Sequence, residues 1–142
     1  MKNKALILVL AVVLVFVFIG LSVFFALRGI VAHNKQWAYF DVYRAQAEEY
    51  IKASPEITGK YGQNVSVEFD NSVTYSETEP KTYFERLPEI FNPQVPDTLE
   101  EFSKGIDMIQ FKVQINGNAY EITFEKDDQG EFFVSGLTPS ED

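Results

Sequence analysis

The chain has 142 residues, with 21 acidic and 12 basic side chains, a formal net charge of −9, no cysteine and one histidine. That length holds one small domain, and the missing thiols exclude disulfides, thiol catalysis and thiolate metal sites. From His33 onward 9 basic against 21 acidic residues give 9 − 21 = −12, a charge that repels phosphate backbones and anionic head groups and argues against nucleic-acid binding.

Residues 5–27 read ALILVLAVVLVFVFIGLSVFFAL, without a charge. As a helix at 1.5 Å per residue this run is about 34 Å long, enough to cross a bilayer core. Lys2 and Lys4 have the look of a secretory signal's basic head. However, the run is longer than the core of a usual signal, and "FAL" and "IVA" are poor cleavage sites. We therefore read residues 1–4 as a basic cytoplasmic head and 5–27 as an uncleaved, single-pass signal-anchor in contact with the lipid bilayer. Lys2 and Lys4 lie before the span and Arg28 and Lys35 after it, a mild asymmetry. The short basic head argues for the C-terminal domain lying outside the cell membrane, and the charge map agrees, with every acidic residue at or beyond Asp41. The Gly-Phe processing site and early glutamate of type IV pilins are absent from MKNKALILVL. Residues 28–37, RGIVAHNKQW, form a juxtamembrane segment, with an extension of the transmembrane helix into the water layer as its simplest reading. Trp37 and Tyr39 have two readings, at the lipid interface or packed beneath the helix that follows.

Residues 38–137 read as an acidic α+β domain. In WAYFDVYRAQAEEYIKA the apolar Phe40, Tyr43, Ala47, Tyr50 and Ile51 share a helical stripe, with Asp41, Arg44, Glu48, Glu49 and Lys52 mostly directed away. Ser54-Pro55 ends that helix and starts another, because Pro disfavours helical geometry before it yet suits a first helical position. Ile57 and Tyr61 mark one face of the short helix, and Gly62 suits the position that closes it. NVSVEFD alternates as a strand, and Asp70-Asn71 suggests a turn into a return strand, SVTYSE. Residues 79–97 hold four prolines and read as an irregular excursion with a helical turn near Tyr83–Leu87, stitched down by Phe84, Leu87, Ile90 and Phe91. PDTLEEFSKG carries a capping signature, with Leu99 and Phe102 inward and Gly105 as the stop.

Asn116-Gly117 is the strongest hairpin signal in the chain and selects a type I′ turn. A two-residue loop puts Val113 opposite Tyr120, Phe111 opposite Ile122 and Ile109 opposite Phe124 on one face, with Lys112 facing Glu121 on the other. A three-residue loop ending at Gly130 then sets Val134 against Phe124. The expected fold is α+β: a transmembrane helix, then two helices packed on an antiparallel sheet that ends in a three-stranded meander over 106–137. Residues 138–142 read as a flexible tail.

No catalytic constellation emerges. The adjacent pairs Glu48-Glu49 and Glu100-Glu101 project to different azimuths of a helix and read as solvated faces. DDQGE lacks the ligand spacing of a calcium loop. The lone His33 lies beside the span, away from any serine it could serve. We expect no enzyme, no cofactor and no metal.

The order of elements and the stretch YIKASPEITGKYG, residues 50–62, resemble the cytochrome oxidase complex assembly factor family, which shares its fold with a subunit of the mitochondrial presequence translocase. GEFFVSGL, residues 130–137, is similar to that family's closing strand. The proline-rich excursion at 79–97 departs from its pattern. The resemblance implies a membrane-tethered helix-plus-sheet module that binds other membrane proteins and has no catalytic residues to carry over. Docking would use the sheet's edge or the excursion, through Tyr83, Phe84, Leu87, Ile90 and Phe91. The alternative is a small-ligand pocket between helices and a curved sheet, as in nuclear-transport-factor-like folds, used for binding or catalysis. A closed pocket with inward polar groups would favour the alternative; a filled core and an exposed aromatic strip would favour the interaction module.

Overall fold

The computed structural model describes residues 2–140, so Met1 of the basic head and the last two residues of the tail lie outside the described residues. The element order is α1 (Lys2–Ala53), α2 (Pro55–Tyr61), β1 (Val67–Glu77), α3 (Tyr83–Phe91), α4 (Leu99–Lys104), β2 (Ile106–Ile115), β3 (Asn118–Lys126) and β4 (Phe132–Pro139). The chain is α+β, with one four-stranded antiparallel sheet in the order β1-β2-β3-β4. It divides into two compact units. One holds the chain up to Gln36 with Lys81–Val95; the other holds Trp37–Pro80 and the chain from Pro96 on.

The sheet unit is built on the residue pattern that the 3.6 and 2.0 periodicities dictate. From α1, Phe40, Tyr43, Ala47 and Ile51 are buried against Ile109, Phe111, Val113, Ile122 and Phe124 of β2 and β3 in one cluster. Rings meet edge-on at its centre, Phe40 with Phe102 at 5.2 Å and Phe111 with Phe124 at 6.2 Å, the geometry that aromatic quadrupoles prefer. Tyr50 departs from its expected place and is 45 % exposed. It lies about 80° round the helix from Phe40, at the stripe's border, where the sheet no longer covers it. Trp37 and Tyr39 both pack within this unit. The Tyr39 hydroxyl donates to the Pro96 carbonyl at 2.7 Å with its ring 4.9 Å from Phe102, and the Trp37 ring lies edge-on to Phe40.

The chain breaks between α1 and α2 as Ser54-Pro55 requires. Ser54 is extended, Pro55 opens the new helix, and the Ser54 carbonyl accepts from both the amide and the hydroxyl of Thr58. Ser54 places no side-chain oxygen on the helix end, so the cap is positional only. Gly62, at φ +83, adopts a conformation that side chains resist, and its N–H donates to Thr58.

The hairpin follows its register throughout: Val113 pairs with Tyr120, Phe111 with Ile122, Ile109 with Phe124 and Lys112 with Glu121. Asn116 and Gly117 both have positive φ, as a type I′ turn demands. The Asn116 side chain also accepts the Ser66 amide at 2.7 Å, which ties the start of β1 to this turn.

Two expectations are overturned in β1 and at the end of β4. The turn at Asp70-Asn71 does not form: β1 is one strand, and residues 70–72 stand opposite Lys112 alone, between the pairs Phe69–Val113 and Val73–Phe111. Two extra residues leave the parity of the strand unchanged, so Val67, Phe69, Val73 and Tyr75 all fall opposite the apolar series of β2. The Asp70 carboxylate accepts from the Asn71 amide and the Ser72 hydroxyl and so holds the bulge. Residues 138–140 do not fray, because Thr138 pairs with Glu121, Pro139 with Tyr120, and the Ser140 amide donates to Ala119. Val134 pairs with Phe124, and Gly130 has φ +82 at the end of the preceding loop.

Candidate docking surface

The segment read as an irregular excursion contains a nine-residue helix. Thr82 precedes it in extended geometry, and Glu85 reaches back to accept from the Thr82 amide at 2.8 Å and its hydroxyl at 2.7 Å. These bonds satisfy donors at a terminus that has no intrahelical partners, and they hold the Glu85 carboxyl below the usual range for glutamate. Pro88 lies inside α3 but does not end it, and the helix closes at Asn92, whose amide donates to the Pro88 carbonyl.

Along α3, Tyr83, Phe84, Leu87, Ile90 and Phe91 recur at helical spacing on one face, and Glu85, Arg86 and Glu89 occupy the other. Of the residues expected to stitch the segment down, Phe84 and Ile90 do not. Tyr83 is 70 % exposed, Phe84 79 %, Ile90 66 % and Phe91 60 %, while Leu87 is half-buried. Among the described residues outside α1, these four are the most exposed large hydrophobic side chains. On the polar side Lys81 is ion-paired with Glu89, and the Arg86 guanidinium donates to the Lys81 carbonyl. Within its own unit the segment is held to the first part of α1. Phe91 meets Phe25 edge-on at 5.9 Å, and the Lys35 ammonium donates to the Val95 carbonyl at 3.5 Å. The first part of α1 is the one described helix long and apolar enough to cross a membrane, and no residue of its apolar window is buried.

Other chemistry-bearing groups are spent on structure. Glu48 and Glu100 are ion-paired with Lys52 and Lys104, each four residues on, as solvated helix faces are. Asp127 accepts the amides of Gln129 and Glu131 in its own turn. Lys60 donates to the Tyr120 hydroxyl at 2.8 Å, and the Tyr61 and Tyr120 hydroxyls are 2.9 Å apart. These bonds, Tyr120 first, raise the Lys60 ammonium above its ordinary range, and the Tyr120 contact lowers Tyr61, so the cluster fastens α2 to β3. Among the described residues, no three His, Asp or Glu gather as metal ligands could. Among the described residues the sheet unit's core buries no polar residue, and a depression by Glu68, Asp70, Lys112 and Gln114 is walled largely by charged and polar side chains.

Arg44 is the residue whose role the residue pattern concealed. Expected to point into water, its side chain is 18 % exposed. The guanidinium lies 4.7 Å from the Trp37 ring and 5.6 Å from that of Phe111, and donates to the Asp41 carboxylate and the Asp70 carbonyl. Such stacking suits a planar, weakly hydrated cation. The clue lay in the azimuth, since Arg44 is about 40° from Phe40 and closer to the stripe's centre than Tyr50 is.

Comparison of the chain with protein-family models, with curated proteins and with solved structures returns no match.

Proposed function

We propose that this protein is a single-pass, membrane-anchored interaction module that acts on other membrane proteins by contact and carries no reaction of its own. Residues 5–27 hold it in the cell membrane as an uncleaved signal-anchor, with Lys2 and Lys4 on the cytoplasmic side and the acidic domain outside. The short basic head supports that orientation, with Lys2 and Lys4 gathered directly before the span and Arg28 and Lys35 spread over the stretch after it.

The observation that carries the reading is where the apolar surface lies. Among the described residues the sheet unit's buried cluster is made of its own apolar side chains with no polar residue in it, whereas large apolar groups beyond the anchor gather in the open on α3. A ligand-binding domain has the reverse arrangement, with a concave apolar chamber and a few inward polar groups. Two surfaces are available for contact, the outer edges of β1 and β4 and the apolar face of α3. An assembly-factor role, implied by the resemblance at residues 50–62 and 130–137, is one form such contact would take.

Mild-detergent purification of the tagged full-length protein from its own membranes, followed by mass spectrometry of the eluate, tests the proposal. A stoichiometric integral membrane protein is expected to co-elute. A monomer carrying a tightly held small molecule would overturn it in favour of the pocket reading.

A further inference from the structure

We infer that the apolar face of α3 is seated in the bilayer, as an interfacial helix lying against the outer end of the anchor. The inference rests on residues 5–27 being a membrane span and adds a second lipid contact to it. Phe25 is two residues before the end of the uncharged run, and the first charge beyond is Arg28. Phe91 packs edge-on against Phe25, so the carboxyl end of α3 stands at the level where the hydrocarbon core gives way to head groups. Lys35, ten residues and about 15 Å further along α1, bonds the Val95 carbonyl, so the chain climbs away from that level only after α3 has ended.

The composition of the segment fits this place. Tyr83, Phe84, Ile90 and Phe91 form an aromatic-rich face that is continuous, through Phe25, with the lipid-facing surface of the span. Water would have to cover that face at full hydrophobic cost, whereas the boundary of the acyl chains takes it without one. The polar face is internally neutralised: Lys81 and Arg86 against Glu85 and Glu89 give 2 − 2 = 0 over Lys81–Val95. A segment without net charge has no preference for anionic lipid, so apolar burial drives the contact and phosphatidylcholine suffices. The bonds from Thr82 to Glu85 fix the first turn of the helix, which lowers the ordering cost of insertion. The partner-facing surface is then left to the edges of the sheet.

The absence of cysteine makes the test clean. Full-length Phe84→Cys, Ile90→Cys, Arg86→Cys and Val13→Cys variants, each nitroxide-labelled in phosphatidylcholine proteoliposomes, are compared by oxygen and nickel-chelate accessibility. The oxygen-to-nickel ratio is expected to be several-fold higher at 84 and 90 than at 86, approaching that at 13. Equal nickel access at 84, 90 and 86 would overturn the inference, with the face left in water for a protein partner. Exclusion of both reagents from 84 and 90 would overturn it too, with a second copy covering the face. A watery reading at 13 would instead sink the membrane span itself, and the inference with it.

Discussion

Gly117 and Gly59 carry the same side chain for opposite reasons. Gly117 has φ +79 in the hairpin turn, while Gly59 lies inside α2, and neither would bring an added Cβ within 4 Å of another group. Space is therefore irrelevant at both, and backbone preference decides. Gly117→Ala should lower stability by about 1 kcal/mol or more, because an L side chain resists that conformation. Gly59→Ala should raise it by about 1 kcal/mol, since alanine loses less entropy in a helix. Chemical denaturation of the two variants against the parent chain checks this, and a change of the same sign in both would refute it. Gly117 was legible because the Asn-Gly signal is local. The burial of Arg44 was not, because a charged residue in a polar-looking gap declares its partners only when Trp37 and Phe111 are brought to it.

α3 shows how an element can be legible in kind but not in surroundings. Its apolar spacing marks a helix face, yet the same spacing serves a helix packed on protein and one lying in lipid. Its amino end offers a pH-dependent prediction. Glu85 is held below the ordinary glutamate range, first by the Thr82 hydroxyl and then by its amide. A depressed carboxyl stabilises fully above its unfolded pKa, about 4.3, and that contribution disappears as pH falls through the lower folded value. The Thr82 amide signal should therefore shift on acidification below about pH 4. Glu85→Gln keeps an acceptor at this position, as a capping box allows, and should abolish the transition while leaving α3 formed at neutral pH. An identical titration in parent and variant would show that another group is responsible. β1 gives the complementary lesson. Asp70-Asn71 carried a sound turn signal, but β2 offered one long apolar face, and a bulge that preserves parity keeps every apolar residue on it.

At the scale of the molecule, the sheet unit holds its own core. Phe40, Tyr43, Ala47 and Ile51 belong to it together with the apolar faces of β2 and β3, and the apolar window of α1 contributes none of that burial. A chain starting at Trp37 should accordingly unfold cooperatively in thermal denaturation followed by near-ultraviolet circular dichroism. One starting at Pro55 should show no cooperative transition, since four buried side chains are gone and each large one is worth about 2–5 kcal/mol. A cooperative melt for the shorter chain would mean that the sheet does not need α1.

The sequence by itself determined an apolar run long enough to cross a membrane, the break at Ser54-Pro55, the hairpin and its register, and the inward face of each meander strand. All of these follow from interactions between residues close in the chain or from a strict period. Only the tertiary structure decided that β1 passes through its turn signal, that residues 138–140 join the sheet, that Arg44 is covered and that Tyr83–Phe91 presents its apolar face outward. Each depends on which distant surface arrives opposite, and an apolar face records a need for cover without naming what supplies it.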